Sequence, residues 1–346
     1  MFRLTPLRSS LFCLLILVGA YLPPQLTAAT TDPIGYTAQR IAGTRGQFDR
    51  ARTYLATPML GSAIETGVID RIDGTTLHLQ LSEASIEATG GKPLQRGTYA
   101  DTHYLQISKG PRAGYHVALA GGGAHTLQLS QDLSALLQPG DAYQVRPYAT
   151  LGSVLGPKNQ AAALHAAPTF GQADQIFIPD PQSGRLAAYY FQQLADGPVT
   201  LAHSNGSPSE SDPILYPGSG FMISRIAEKD AYFNHVGDVQ THAAVIPVET
   251  GLNFVAFTFP VDTTLAKFFG PQSGGLSEED SVILPREFGA QDQYRIRHTP
   301  DGPRWLPEGD APPADEAKVP VGSVVIINRQ GEPFNLRLER PFELEL

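Results

Sequence analysis

Gly218-Ser-Gly-Phe-Met-Ile-Ser-Arg225 and Gly322-Ser-Val-Val-Ile-Ile-Asn-Arg329 carry one pattern: a glycine-serine turn, a short apolar run and an arginine at its end. Two more pairs precede them in the same order. Thr150-Leu-Gly-Ser-Val-Leu-Gly156 matches Thr264-Leu-Ala-Lys-Phe-Phe-Gly270, and Ala173-Asp-Gln-Ile-Phe-Ile-Pro179 matches Glu279-Asp-Ser-Val-Ile-Leu-Pro285. The offsets of 114, 106 and 104 residues differ by little more than loop changes, so the pattern predicts a module present twice. Tyr54-Leu-Ala56 and Phe254-Val-Ala256 match at an offset of 200, which places an insertion inside the first copy.

The repeated runs are short and their composition favours strands. Thr76-Leu-His-Leu-Gln-Leu81, His125-Thr-Leu-Gln-Leu129 and Leu336-Arg-Leu338 alternate with period two, as half-buried strands do. Asp73-Gly74 and Gly121-Gly-Gly123 read as turns beside them, and 34 Gly with 29 Pro among 346 residues leave little room for long helices. Only Gln131-Asp-Leu-Ser-Ala-Leu-Leu137 reads as a helical turn or two. The expected fold is all-β: a duplicated β-sandwich or barrel-like module with a small β-barrel domain inserted in the first copy. The expected boundaries are a signal peptide at 1–29, a first module at 30–65 and 149–245, the inserted barrel at 66–148, and a second module at 246–346.

At the N-terminus, Arg3 and Arg8 precede the apolar run Leu11-Phe-Cys-Leu-Leu-Ile-Leu-Val18, with Thr27-Ala-Ala29 beyond it. This is the pattern of a signal peptide, with an apolar run shorter than the ~20 residues of a membrane-spanning helix. Cleavage after Ala28 or Ala29 removes Cys13, the one cysteine, so no disulfide is expected in the mature chain. The expectation is an exported protein, periplasmic, cell-surface or extracellular, without a membrane span after cleavage. With 25 basic against 34 acidic residues and no Lys/Arg cluster, the net charge of −9 argues against nucleic acid as a partner.

Asp32-Pro-Ile-Gly-Tyr36, Tyr54-Leu-Ala-Thr-Pro58, Tyr189-Tyr-Phe191 and Tyr216-Pro-Gly-Ser-Gly-Phe221 together resemble the motifs of a conserved, uncharacterised family of secreted bacterial β-rich proteins. The resemblance spans nearly the whole mature chain, departing at Arg304 before Trp305, where such proteins tend to show glycine. It implies export and a two-copy module, and supplies no substrate, cofactor or catalytic residue.

No catalytic set emerges from the residues. In Gly218-Ser219-Gly220, Pro217 and Phe221 stand where a hydrolase elbow needs glycines, so a turn entering a strand is the better reading. The run Gly121–Gly123 lacks the strand-to-helix setting of a phosphate loop and reads as a hairpin tip. Glu278-Glu-Asp280 reads as solvated charge at a strand entrance, with cation binding or acid/base work as the alternative. Asp101 and His103 share one strand face, and His116 on a neighbouring strand could complete a metal triad, against the plainer reading of three surface polar residues. Tyr189, Tyr190, Tyr294 and Trp305 are the candidate ligand-binding residues, because aromatic faces stack on sugars or line interfaces; core packing is the competing role. No cofactor is expected. The function expected is a non-catalytic binding or structural role in the cell envelope or extracellular matrix, toward a glycan or an envelope protein, with a secreted hydrolase as the alternative.

Overall fold

Strand Gly220–Arg225 is buried along its whole length, and strand Val324–Arg329 nearly so. An apolar run that reads as continuous rather than alternating is what a central strand covered on both faces requires. Each lies second from the edge of a five-stranded antiparallel sheet. The first sheet runs Ala51–Ala56, Gly220–Arg225, Gln175–Asp180, Arg185–Gln193, Val199–His203. The second runs Gly251–Ala256, Val324–Arg329, Ser281–Pro285, Gln291–Thr299, Gly302–Pro307. The structure is a computed structural model that describes residues 33–342 except 48, 81–95, 181–182, 196, 198, 271–274 and 287–289. The expected signal segment and residue 81 of the expected strand lie outside the described residues.

The two sheets are built alike down to register. Phe177 faces Met222 and Gly220 faces Ala56 in one; Ile283 faces Ile326 and Val324 faces Ala256 in the other. Each sheet has a helix of one turn or so, Leu151–Leu155 and Leu265–Phe269, capped by the side chains of Thr150 and Thr264. Sequence reading missed both helices, because Ser153 and Lys267 stand where the sequence signature of a helix start has Glu or Gln, although Ser153 closes a capping box with Thr150. The run 131–137, expected to form a helical turn or two, closes one turn, with Leu136 and Leu137 N–H donating to Leu133 O. Each sheet also has a smaller ribbon beside it: Ile34–Ile41 with Ala231–Val239, extended by Met59–Leu60 to three strands, and the two-stranded Ala244–Val248 with Phe334–Leu338.

A buried ion pair recurs at one place in each sheet. Asp174 accepts from the N–H of Ile226 (2.8 Å) and lies 3.4 Å from Arg225 Nε. Asp280 accepts from the N–H of Gln330 (2.7 Å) and from Arg329 Nη1. Burial alone would raise the Asp280 carboxyl, but hydrogen bonds from Gln330, Ser277 and Arg329 outweigh it and hold the group below the usual carboxylate range. Asp280 therefore ties a strand entrance to its neighbour, and Glu278 accepts from the His298 N–H (2.8 Å). Asp280 is thus buried rather than solvated, whereas Glu278 and Glu279 are exposed, as expected of charge at a strand entrance.

The sheets meet through equivalent residues. Ala56 N–H donates to Gly322 O (2.9 Å), and Ala256 N–H donates to Gly218 O (2.8 Å). Both glycines have φ of 76°, which favours residues without a β-carbon and explains the glycine-serine turns as strand entrances. Between them Ala56, Met222, Phe254, Ala256, Val324 and Ile326 form one apolar cluster, with Tyr54 packed edge-on against Phe254 at 5.4 Å. A β-carbon at Gly220 would lie 2.1 Å from Val324 Cγ2 and 3.0 Å from Leu55 O. Gly220→Ala is therefore expected to cost about 1–3 kcal/mol through overpacking. A thermal melt unchanged from wild type would contradict this close approach.

Between the strands Met59–Leu60 and Ala149–Thr150, six strands close into a barrel: Glu65–Asp73, Thr76–Gln80, Thr126–Leu129, His116–Gly123, His103–Lys109 and Ala142–Pro147. Period-two alternation fills its interior with Leu77, Leu79, Leu105, Ile107, Val117, Leu119, Leu127 and Leu129. The glycines at 121–123 belong to strand His116–Gly123, where the register shifts between Leu119 and Gly121; the hairpin turns after them, so they are not its tip.

Candidate functional site

The structure separates the residues proposed for a metal. Asp101 is exposed in a turn with φ of 58°, and His103 opens the next strand with Nδ1 2.7 Å from Thr102 Oγ1 and its ring 4.7 Å from Tyr99. His116 pairs across the ladder with Gln106, three residues further along. Odd spacing on a strand reverses the face, so His116 lies on the outer wall beside Tyr104 while His103 shares the inner face of Leu105. Among the described residues no group of three His, Cys, Asp or Glu side chains could hold a metal ion, the triad Asp101, His103 and His116 included.

The aromatic candidates divide. Tyr190 and Tyr294 are 1% and 0% exposed and serve as core packing, with no face left for a ligand. Tyr294 and Tyr189 occupy the same ladder position, opposite Val282 and Ile176. Tyr189 is half-buried and stacked on His203 at 5.0 Å, and burial raises its hydroxyl above the ordinary tyrosine value. Trp305 is half-buried against Phe269 at 5.1 Å. Tyr189 and Trp305 stand on strands of different sheets.

What the letters did not reveal is a groove of about 440 Å³ where the two sheet units adjoin. One wall comes from Ala38, Gln39 and Arg40 with Arg52 and Tyr54 of the first sheet; the other comes from Arg286, Asp292 and Lys318 of the second unit. Arg40 pairs with Asp230 at 3.3 Å and Arg286 pairs with Asp292, so these charges are matched. Arg52 and Lys318 are exposed and have no carboxylate partner among the described residues. Tyr54 is partly buried in the same wall, and burial raises its hydroxyl, with Arg52 nearby working in the opposite direction. Gln39 Nε2 donates to Ala56 O (2.8 Å), while its buried Oε1, against Gly322, has no hydrogen-bond partner among the described residues. Among the described residues the groove thus offers two cations without a carboxylate partner, a phenol and amide groups, which suits binding of an anion, and no nucleophile with a base.

The chain matches no family model, no curated protein and no solved structure. The functional reading rests on these side chains. Their distance in sequence hid them: residues near 38–54, residues 284–286 with Asp292, and residues 318–324 share a groove only after two sheets dock.

Proposed function

We propose that this is an exported, non-catalytic binding protein of the cell envelope or extracellular matrix, built by duplication of one β module, and that the groove between its two sheet units holds an anionic ligand. The observation that carries this reading is that Arg52 and Lys318, one from each unit, line one groove without a carboxylate partner among the described residues, in a chain of net charge −9. Two unmatched cations held by separate rigid sheets are not needed for solubility, and a concave site focuses their field on an incoming anion. Acidic glycan and acidic envelope protein both have this chemistry.

Co-sedimentation of the purified protein with isolated cell envelope and with insoluble acidic polysaccharide tests the proposal. Saturable binding is expected, weakened by salt and reduced about tenfold or more by Arg52→Glu with Lys318→Glu, since each exchange replaces attraction by repulsion. Binding by wild type and double variant alike would place the ligand elsewhere, and absence of binding to every fraction would overturn the proposal. The same preparations assayed with generic ester, glycan and peptide substrates would expose a hydrolase.

A further inference from the structure

Strand Ile34–Ile41 is the edge of its three-stranded sheet. Val239 N–H donates to Pro33 O (2.7 Å), so the odd-numbered residues of this strand exchange hydrogen bonds with Ala231–Val239. The N–H and C=O of Ile34, Tyr36 and Ala38 therefore point away from the sheet, and they have no partner among the described residues. Their side chains are uncovered too. Ile34 and Tyr36 are each 76% exposed, and Val236, directly across the ladder from Tyr36, is 63% exposed. Edge strands are ordinarily blunted by charge, proline or a covering segment, and among the described residues none of the three protects Ile34, Tyr36 and Ala38. At Ala38 this open edge passes into the basic groove.

The second unit shows the corresponding edge covered. Its ribbon strand Ala244–Val248 pairs with Phe334–Leu338 on one side, and on the other Val245 N–H donates to Gly114 O of the barrel (3.1 Å). Arg337 Nη1 donates to the neighbouring Ala113 O (2.8 Å). A polypeptide backbone thus already lies along this edge in one half of the molecule, supplied by the chain itself. In the other half no described segment does so.

We propose that the open edge of Ile34–Ile41 binds an extended acidic polypeptide, which adds to it as a further strand and runs into the groove toward Arg52 and Lys318. The proposal rests on the groove reading and names its ligand. A glycan can answer two cations, but it has no use for alternating N–H and C=O groups, whereas an added strand uses that row for affinity and its side chains for specificity. Apolar side chains on such a strand cover Tyr36 and Val236, and acidic ones answer Arg52 and Lys318.

The test is fluorescence polarisation with a labelled peptide of alternating valine and glutamate, the same peptide N-methylated at alternate amides, and soluble polygalacturonate as competitor. Saturable binding of the plain peptide and at least about a tenfold loss on N-methylation are expected, because methylation removes edge hydrogen bonds without altering charge. Ala38→Pro is expected to cause a similar loss. Its ring replaces an N–H that faces outward, a position where an edge strand accepts proline, so the fold is retained. The N-methylated peptide probes wild-type protein and keeps the test valid even if this variant folds poorly. Equal binding of both peptides would overturn strand addition. Polygalacturonate binding that Arg52→Glu and Lys318→Glu abolish, with no peptide binding, would overturn the peptide ligand while leaving the groove reading standing. Failure of both probes would count against both.

Discussion

Arg146→Ala is expected to destabilise the protein by about 3–5 kcal/mol, the cost of leaving a buried charge without its partner. Arg146 belongs to the barrel strand Ala142–Pro147, and its side chain is 1% exposed on the barrel's outer wall. Its Nη1 donates to Asp238 Oδ2 (2.7 Å) and Gly61 O (2.6 Å), its Nε to Gln106 Oε1 (3.2 Å), and its Nη2 to Gln144 Oε1 (2.8 Å). Asp238 also accepts from Ser62 Oγ (3.0 Å) and the Ala63 N–H (3.3 Å). The guanidinium therefore joins the barrel, the loop entering it and the ribbon strand Ala231–Val239. Alanine removes every one of these donors at once. Urea denaturation of wild type, Arg146→Ala, and Arg146→Met with Asp238→Leu measures the effect; the double variant should recover much of the loss, because apolar replacement leaves no buried charge. A single-variant loss below about 1 kcal/mol would show that the barrel is held by apolar packing alone.

Acid should weaken the fold well before its carboxylates titrate. Burial pulls His116 and His235 down to about 4. His116 stands on the barrel's outer wall with its ring 6.0 Å from Tyr104, and a hydrogen bond with the Val245 backbone works against the larger effect of burial. His235 lies opposite Thr37 with a buried Nδ1 that has no hydrogen-bond partner among the described residues. Both rings are held neutral by the fold, whereas in the unfolded chain they take up a proton near 6.5. Their contribution is fully present above that pH, declines as pH falls through 6.5 toward about 4, and changes no further below it. Two such groups amount to a loss on the order of 5 kcal/mol between neutrality and pH 4. Urea midpoints at pH 7.5 and 4.5 read this directly, with His116→Gln and His235→Gln each expected to remove about half of the difference. A midpoint indifferent to pH over this range would refute the assignment.

The letters were good guides to what is local. Period-two alternation at Thr76–Gln80 and Thr126–Leu129 marks strands whose apolar side fills the barrel, because a strand must send successive residues to opposite faces. Gly218 and Gly322 turn with the same positive φ, a conformation that glycine adopts without steric cost. They were poorer guides wherever a face had to be assigned. Tyr190 and Tyr294 could have been surface aromatics, and the fold turned both inward; His103 and His116 could have met, and strand parity put them on opposite sides of one wall.

By itself, then, the sequence determined the β class, turns such as those at Gly218 and Gly322, and the recurrence of matching segments, since each depends on residues close together and on backbone preferences that neighbours scarcely alter. Tertiary structure alone decided which cations lack a partner and which strand edge stays open. Whether Arg52 meets a carboxylate, or Ile34–Ile41 a covering strand, depends on residues up to about 280 positions away in the chain, brought to one groove when two sheets pack together.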